Sequence, residues 1–284
     1  MSDTIIKRDA PVSPFAPMEI TDADFNRLYT FIQSNYGIDL SKKRQLITGR
    51  LSSTIRQRGY KSFAEFVNHL LTTRDNEEIT LVLNKLTTNY TFFMREQDHL
   101  ELFAKRILPD LVNRHQKDRA LSIWSAGCSS GEEPYNLSMY IFDYLGAQAK
   151  MWDTRILATD LSEQALASAK RGTYQLPDTL PPEWRRKYFI DNKDGTHTVN
   201  DDLKKNLVLQ KFNLMDRINF RRKFDVIFCR NVMIYFDQPT KDALVQRFYD
   251  ATVPGGYLLI SYSENLSPTS PYRRIAPATF QKQP

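Results

Sequence analysis

Two glycines and two glutamates lie in a short segment, Trp124–Pro134, that joins an apolar run to a helical pattern. A glycine turn between a strand and a helix lets a ligand approach the backbone closely, and nucleotide-type cofactors bind at such turns. Gly127 and Gly131 are separated by three intervening residues, and no Gly-Lys-Ser/Thr follows, so the turn is neither a dinucleotide fingerprint nor a phosphate loop. Glu132 and Glu133 place negative charge where a phosphate needs positive charge. The segment favours a cationic nucleoside such as S-adenosylmethionine, although two glutamates here could also simply complement a helix dipole.

Polar residues also follow the next two apolar runs. Asp160 ends the run Arg155–Thr159, where its carboxylate could accept hydrogen bonds from both hydroxyls of a ribose. Asn213 and Leu214 follow the run Leu207–Phe212, where a side chain and a backbone could flank an adenine ring. Taken singly, Asp160 is equally a helix cap and Asn213 a turn residue. Because ligands of open α/β sheets bind at the carboxyl ends of strands, the three positions together predict one cofactor site.

Short apolar runs alternate with helical patterns after about residue 118. The runs are Leu121–Ser125, Arg155–Thr159, Leu207–Phe212, Phe224–Cys229 and Tyr257–Ser261. This alternation is typical of an α/β fold with a mostly parallel sheet. Within it, Asp194-Gly195 separates two further runs and predicts an inserted β-hairpin. We therefore expect a Rossmann-like sheet over residues 119–284, interrupted at about 174–206 by a small antiparallel β subdomain.

The chain ahead of the sheet has helical periodicity after a proline-containing start. Ser41 is expected to cap the second helix of this region. Three regions are predicted here: a mobile tail at 1–17, an all-helical domain at 18–90, and a linker with a connecting helix at 91–118.

Composition limits the partners and the location. The formal net charge of +6 favours an acidic partner, either nucleic acid or an acidic protein surface. Only two cysteines are present, without Cys or His at ligand spacing, so we expect neither a disulfide framework nor a metal site. No apolar stretch approaches the roughly 20 residues that span a bilayer, and the N-terminus lacks a signal pattern. We expect a cytoplasmic protein with no membrane insertion.

The second predicted helix has one basic face. Lys42, Lys43, Arg50 and Arg56 fall within an arc of about 140° when they are placed at 100° per residue. Such a face is either simply solvated or a docking surface for an acidic partner, and the pattern alone leaves both open.

Four segments resemble the CheR family of chemotaxis receptor methyltransferases, and the resemblance spans about residues 20–280. The segments are Thr87–Glu96, Trp124–Tyr135, Ala158–Asp160 and Phe228–Phe236. The resemblance implies a class I fold and an S-adenosylmethionine-dependent enzyme without a metal, which forms methyl esters on glutamates of the receptors' cytoplasmic helical bundle. S-adenosylhomocysteine is the implied product.

The resemblance also assigns roles to residues. With the glycine turn at Gly127, it implies a cofactor site lined by Asn89, Thr91, Arg95, Glu133, Asp160, Asn213, Leu214, Arg230 and Asn231. It places Arg95 and Tyr235 closest to the transferred methyl, and Arg50 and Arg56 against the receptor. Whether a receptor's C-terminal peptide joins the β subdomain stays open.

Two departures from the family pattern are visible. Met94 stands where a second Phe is usual, and Ser261-Tyr262-Ser263-Glu264 replaces a more usual Gly-His-Ser-Glu. We expect neither departure to touch a residue needed for methyl transfer.

Two other functions compete with this interpretation: methylation of RNA or DNA, and a non-catalytic signalling scaffold that binds the cofactor. Arg230–Met233 stands in place of the Asn/Asp-Pro-Pro-aromatic arrangement that holds an exocyclic amine, and the basic helix lacks interleaved aromatics for stacking on bases. We therefore expect no nucleic-acid partner. The motifs around Arg95 and Tyr235 disfavour a scaffold.

Overall fold

The computed structural model describes residues 17–87 and 90–283. The predicted tail lies outside the described residues except for Pro17. The described residues form two compact units, one of residues 17–34 and 39–87 and the other of residues 35–38 and 90–283. Within the described ranges, no helix is both long enough and apolar enough to cross a membrane.

The first unit is all-helical, as predicted. Its helices are α1 (Asp22–Tyr36), α2 (Arg44–Gln57), α3 (Phe63–Thr73) and α4 (Asn76–Leu86). Each helix buries one apolar stripe, represented by Leu28, Ile47, Val67 and Val82, all at most 1% exposed. Helix α2 packs against both α3 and α4.

The start of α2 differs from the prediction. Ser41 does not cap this helix but lies in a turn before it, where its hydroxyl donates to Asp39 Oδ1 at 2.7 Å and its N–H donates to the same oxygen at 3.0 Å. This local turn competes with a cap, and α2 begins only at Arg44. Lys42 and Lys43 therefore precede the helix and do not belong to its basic face.

The second unit is an α/β domain. Its strands in chain order are β1 (Ile123–Ala126), β2 (Ile156–Asp160), β3 (Thr173–Tyr174), β4 (Phe189–Asp191), β5 (His197–Val199), β6 (Leu207–Lys211), β7 (Phe224–Cys229), β8 (Thr252–Ile260), β9 (Arg273–Ala276) and β10 (Thr279–Gln281). Its helices are α5 (Gln97–Leu102), α6 (Leu108–Arg114), α7 (Glu132–Leu145), α8 (Glu163–Arg171), α9 (Pro182–Tyr188), α10 (Asp201–Lys205) and α11 (Gln238–Ala251). A π-helical turn, Phe103–Ile107, joins α5 to α6.

Seven strands form one sheet in the order β6-β2-β1-β7-β8-β10-β9. The first five are parallel to one another, and β10 runs antiparallel to both β8 and β9. The predicted Rossmann-like sheet is confirmed. After β1 the chain forms β2 and β6 on one side of this strand, and it then crosses to β7 on the other side. The crevice between β1 and β7 is therefore the topological switch point, where such folds bind ligands.

The predicted hairpin is confirmed as part of a second, three-stranded antiparallel sheet in the order β3-β5-β4. Strand β3 was not predicted, since a two-residue strand is too short to show an alternating pattern. Gly195 turns between β4 and β5 with φ of +86°.

The centre of the large sheet is fixed by Trp124 of β1, which is fully buried. Its ring lies between 5.1 and 5.7 Å, centroid to centroid, from the rings of Phe212, Phe220, Phe224 and Phe248. Its Nε1 donates to Thr159 Oγ1 at 2.9 Å, which satisfies the one polar group of the indole.

At the amino ends of the parallel strands, His115 lies between two carboxylates. Its Nε2 is 3.0 Å from Asp225 Oδ1, and its Nδ1 is 3.0 Å from Asp118 Oδ1. Burial alone would lower the pKa of His115, but the two carboxylates outweigh burial and the pKa is raised. The protonated imidazole therefore stabilises this end of the domain.

We predict that this pairing makes stability depend on pH. A raised folded pKa contributes stability that is complete below the unfolded value of about 6.5 and is lost as pH rises through the folded pKa. The thermal unfolding temperature of the native protein should fall as pH rises across that window. In the His115→Asn variant this fall should be smaller. Equal slopes in the two proteins would contradict the assignment.

Candidate functional site

Four of the predicted cofactor residues, Gly127, Asp160, Asn213 and Asn231, lie at or just after the carboxyl ends of β1, β2, β6 and β7 respectively. The N–H of Gly127, just after β1, donates to the carbonyl of Thr159 in β2 at 2.8 Å. The N–H of Phe212, just after β6, donates to the carbonyl of Asp160 at 3.1 Å. The glycine turn, Asp160 and Asn213 therefore share one edge of the sheet.

Gly127 holds a position that a side chain cannot occupy. Its φ is +86°, in the left-handed region, and an added Cβ would lie 2.3 Å from Val232 Cγ2. The turn after β1 is thus packed directly against the segment that follows β7.

Asp160 fastens two loops together. Its Oδ2 accepts the N–H of Ser129 and its Oδ1 accepts the N–H of Ser162, both at 2.8 Å. Burial raises its pKa, against the smaller lowering effect of these backbone donors. It is not the N-cap of α8, because the Ser162 hydroxyl accepts the N–H of Ala165. Since each carboxylate oxygen has two lone pairs, Asp160 keeps acceptor capacity for ribose hydroxyls.

The two glutamates that begin α7 have different surroundings. Glu132 is buried, bonds the Ser130 hydroxyl at 2.7 Å, and has a pKa raised by burial. Glu133 accepts the Ser125 hydroxyl at 2.7 Å through Oε1 and Arg230 Nη1 at 3.0 Å through Oε2. Only Glu133 joins the network around Arg230.

Arg230 is enclosed rather than open to solvent, with a side chain 3% exposed. Its Nε donates to Glu96 Oε2 at 3.2 Å, its Nη1 to Glu133, and its Nη2 to the carbonyl of Arg95. The guanidinium thereby ties the segment before α5 to the first turn of α7.

Glu96 is the central residue that sequence reasoning missed. Its Oε1 accepts the Ser261 hydroxyl at 2.7 Å and lies 3.4 Å from Asn231 Nδ2, while its Oε2 lies 3.3 Å from Nδ1 of the buried His99. Burial alone would raise the pKa of Glu96, but His99, Arg230 and Ser261 together lower it to about 2. The only sequence signal was its place beside Arg95 in the family-like segment.

One expectation about the departures is wrong. Ser261 does touch a predicted site residue, because its Oγ lies 2.7 Å from Asn231 Nδ2. The sequence could not show this contact, since 30 residues separate the two positions. Met94, the other departure, is buried with φ of +65°.

The predicted catalytic residues lie on two segments of this domain. Arg95 is partly exposed and donates from Nη1 to the carbonyl of Tyr90 at 2.6 Å. Tyr235 is partly exposed at the end of the 3-10 turn Met233–Tyr235, four residues after Asn231. Thr91 is partly buried, and Asn89 lies outside the described residues.

Asn213 and Leu214 are engaged in the turn after β6. Asn213 Oδ1 accepts the N–H of Met215 at 3.0 Å, and its Nδ2 donates to the carbonyl of Asn35 at 2.7 Å. Leu214 is buried, and its carbonyl accepts Arg247 Nη2 at 2.8 Å. Asn213 therefore acts at least as a turn residue, which was the simpler of its two interpretations.

In the helical unit, both predicted docking arginines lie on α2. Arg50 is exposed and donates from Nη1 to the carbonyl of Lys85 at 3.1 Å, whereas Arg56 is partly exposed. Ile47, Leu51 and Ile55 form the buried side of the same helix.

Negative side chains outnumber positive ones around the sheet edge. The carboxylates there are Glu96, Glu132, Glu133, Asp160, Glu163 and Glu264, against Arg95, Lys211 and Arg230. A surplus of acceptors suits the sulfonium, ammonium and hydroxyl groups of S-adenosylmethionine and repels phosphate. Within residues 17–87 and 90–283, no group of three His, Cys, Asp or Glu side chains could hold a metal ion.

This parallel sheet, with a glycine turn after β1 and an aspartate closing β2, belongs to the class of Rossmann-like domains that bind nucleoside cofactors at the switch point. Sequence models of two domains match the chain: "CheR methyltransferase, all-alpha domain" at residues 23–87 and "CheR methyltransferase, SAM binding domain" at residues 89–280. The chain belongs to the CheR methyltransferase family.

Curated relatives match over most of their length. The chemotaxis protein methyltransferase of Borreliella burgdorferi is 38% identical over 273 residues, covering 93% of this chain and 96% of the relative. Chemotaxis protein methyltransferase 1 of Pseudomonas aeruginosa is 36% identical, covering 88% and 93%. A probable chemotaxis protein methyltransferase of Rhizobium etli is 37% identical, covering 83% and 90%. The family and these relatives support an S-adenosylmethionine-dependent methyltransferase of chemotaxis.

We predict that Gly127→Ala abolishes measurable cofactor binding and lowers stability. Gly195→Ala is a matched control, because Gly195 has the same φ of +86° but nothing within 4 Å of an added Cβ. The control should lose only about 1–2 kcal/mol from the left-handed backbone and bind cofactor normally. Thermal unfolding and calorimetric titration with S-adenosylhomocysteine measure the two effects. Normal binding by the Gly127 variant would contradict the close packing of this turn at the site.

Proposed function

We propose that this protein transfers the methyl group of S-adenosylmethionine to glutamate side chains on the cytoplasmic helical bundle of chemotaxis receptors. The observation that carries the proposal is the acceptor-rich sheet edge at Glu133 and Asp160, in a chain of the CheR family. The proposal includes a cytoplasmic location, as its substrate requires.

The chemistry needs alignment rather than a base. A glutamate with a pKa of about 4.3 is already ionised at neutral pH. When bound, S-adenosylmethionine supplies a methyl group on a sulfonium, which the carboxylate oxygen displaces to give a methyl ester and S-adenosylhomocysteine. The charges of the two reactants diminish in the transition state, so exclusion of water favours the reaction, and correct placement can contribute about 7–11 kcal/mol.

Different residues of the site bind the cofactor and orient the incoming glutamate in this proposal. Asp160 would accept the ribose hydroxyls, and Glu133 lies where it would attract the cationic end of the cofactor. Arg95 has five N–H donors, of which one is given to the Tyr90 carbonyl, and we assign the others to orienting carboxylates of the cofactor or of the incoming glutamate. The Tyr235 hydroxyl would place the nucleophile.

The helical unit supplies the proposed receptor contact. Arg50 and Arg56 are separated by six positions on α2, which places them about 120° apart around its axis. A glutamate-bearing helical bundle is the complementary surface, and the overall charge of +6 would steer such an encounter. A receptor C-terminal peptide could add to the exposed edge of the small sheet, where Ile190 of β4 is 60% exposed.

A methyl-transfer assay tests the proposed substrate. Purified enzyme with radiolabelled S-adenosylmethionine should label a receptor cytoplasmic fragment and leave total RNA unlabelled. The label should be released by mild base, because carboxyl esters hydrolyse there. Arg95→Ala should lower turnover about 10²-fold if the guanidinium acts as a preorganised charge donor. Label on RNA, or base-stable label on the receptor, would reject glutamate esterification.

Charge reversal on α2 tests the docking surface. Arg50→Glu with Arg56→Glu should abolish receptor methylation while leaving the Kd for S-adenosylhomocysteine unchanged. The matched control reverses Arg221 and Arg222, which are exposed just before β7 and change the net charge equally. The control should methylate the receptor at a rate within about threefold of normal, as long-range steering alone predicts. Equal losses in both variants would reject a local docking role.

A further inference from the structure

A relay of hydrogen bonds connects Asn231 to a buried carboxylate. Asn231 Nδ2 lies 2.7 Å from Ser261 Oγ, and the same Oγ lies 2.7 Å from Glu96 Oε1. Ser261 is 1% exposed and the Glu96 side chain 16% exposed, so water has little access to these bonds. Neither Glu96 nor Ser261 was predicted as a site residue.

Glu96 fixes the direction of each bond in this relay. Its pKa of about 2 keeps the carboxylate ionised at neutral pH, and an ionised carboxylate can only accept hydrogen bonds. The Ser261 hydroxyl has one hydrogen and gives it to Glu96, so it can only accept from Asn231. The side-chain amide of Asn231 must therefore turn its NH2 group toward Ser261 and its Oδ1 away.

The backbone at Asn231 has an uncommon conformation. Asn231 has φ of +62°, in the left-handed region that asparagine tolerates better than most residues. The preceding residue, Arg230, is held by Glu96 and Glu133 on either side. Glu96 thus holds Arg230 directly and Asn231 through Ser261, and these two residues follow β7.

We propose that Glu96 and Ser261 are positioning residues that orient the Asn231 amide, so that Asn231 presents a hydrogen-bond acceptor to the cofactor. The inference rests on the proposed placement of Asn231 in the cofactor site. An amide oxygen adds to the acceptors of Glu133 and Asp160, and S-adenosylmethionine offers matching N–H and O–H donors.

A double-mutant cycle on cofactor affinity tests the relay. Ser261→Ala should weaken the Kd for S-adenosylhomocysteine about three- to tenfold, which is the usual effect of one hydrogen bond. Asn231→Ala should weaken it at least as much, and the double variant should bind no worse than Asn231→Ala alone. Effects of the two single substitutions that multiply would overturn the inference, because Ser261 would then act independently of Asn231.

The cycle also separates this inference from the proposed site. If Asn231→Ala leaves the Kd unchanged, the placement of Asn231 at the cofactor is wrong, and the inference fails with it. If Asn231→Ala weakens binding but Ser261→Ala does not, only the inference fails.

Glu96→Gln provides a second test, because a glutamine amide can donate as well as accept and so removes the fixed direction. We expect its cofactor Kd to rise about tenfold or more. Asp225→Asn is the matched control, since Asp225 is also a buried carboxylate paired with a histidine, His115, but at the amino end of the sheet. The control should lower the unfolding temperature and leave the Kd unchanged. If Glu96→Gln binds the cofactor as tightly as the control does, the proposal is overturned. If Glu96→Gln does not fold, the double-mutant cycle at Ser261 and Asn231 provides the test.

Discussion

The arrangement of the site depends on one buried cation, Arg230, held between Glu96 and Glu133. A guanidinium that is 3% exposed is tolerated only when its charge is compensated and its donors are used. Here the two carboxylates come from distant parts of the chain, one before α5 and one in the first turn of α7. Pairing them through Arg230 links the segment that carries Arg95 to the first turn of α7, and it leaves the pair of carboxylates with one negative charge in excess.

This excess negative charge suits the proposed cofactor. The parallel strands bring Glu133 and Asp160 to the switch point of the sheet, where an added side chain at Gly127 would meet Val232. A negative, acceptor-rich edge attracts a sulfonium nucleoside and repels a phosphate. Since a glutamate nucleophile is already ionised, the proposed reaction asks the protein for alignment and exclusion of water. A fixed network of buried hydrogen bonds is suited to both duties.

Much of this was predictable because its signals are local. The runs that became β2, β6 and β7 are short apolar segments, and the glycine turn and Asp160 follow strands directly in the sequence. The predictions that were wrong or missing also have physical reasons. Ser41 was expected to cap a helix, but it lies in a local turn with Asp39, and the helix begins only at Arg44. Strand β3 has only two residues, too few to produce a pattern.

The network around Glu96 was missed for a different reason. Its partners Arg230 and Ser261 lie 134 and 165 residues away, and periodicity or motif spacing carries no information about such contacts. Read locally, a glutamate at the start of a helix only complements the helix dipole. Its burial and its four polar neighbours emerge when the carboxyl ends of β7 and β8 come together with the segment before α5.

Calorimetric titration of the folded protein with S-adenosylhomocysteine, S-adenosylmethionine and ATP tests the central claim most directly. The acceptor-rich edge predicts saturable binding of the first two ligands at one site per chain, and no measurable binding of the triphosphate. Failure of a well-folded sample to take up either adenosyl compound, or a preference for ATP, would contradict the claim that this sheet edge is a negative pocket for a sulfonium cofactor.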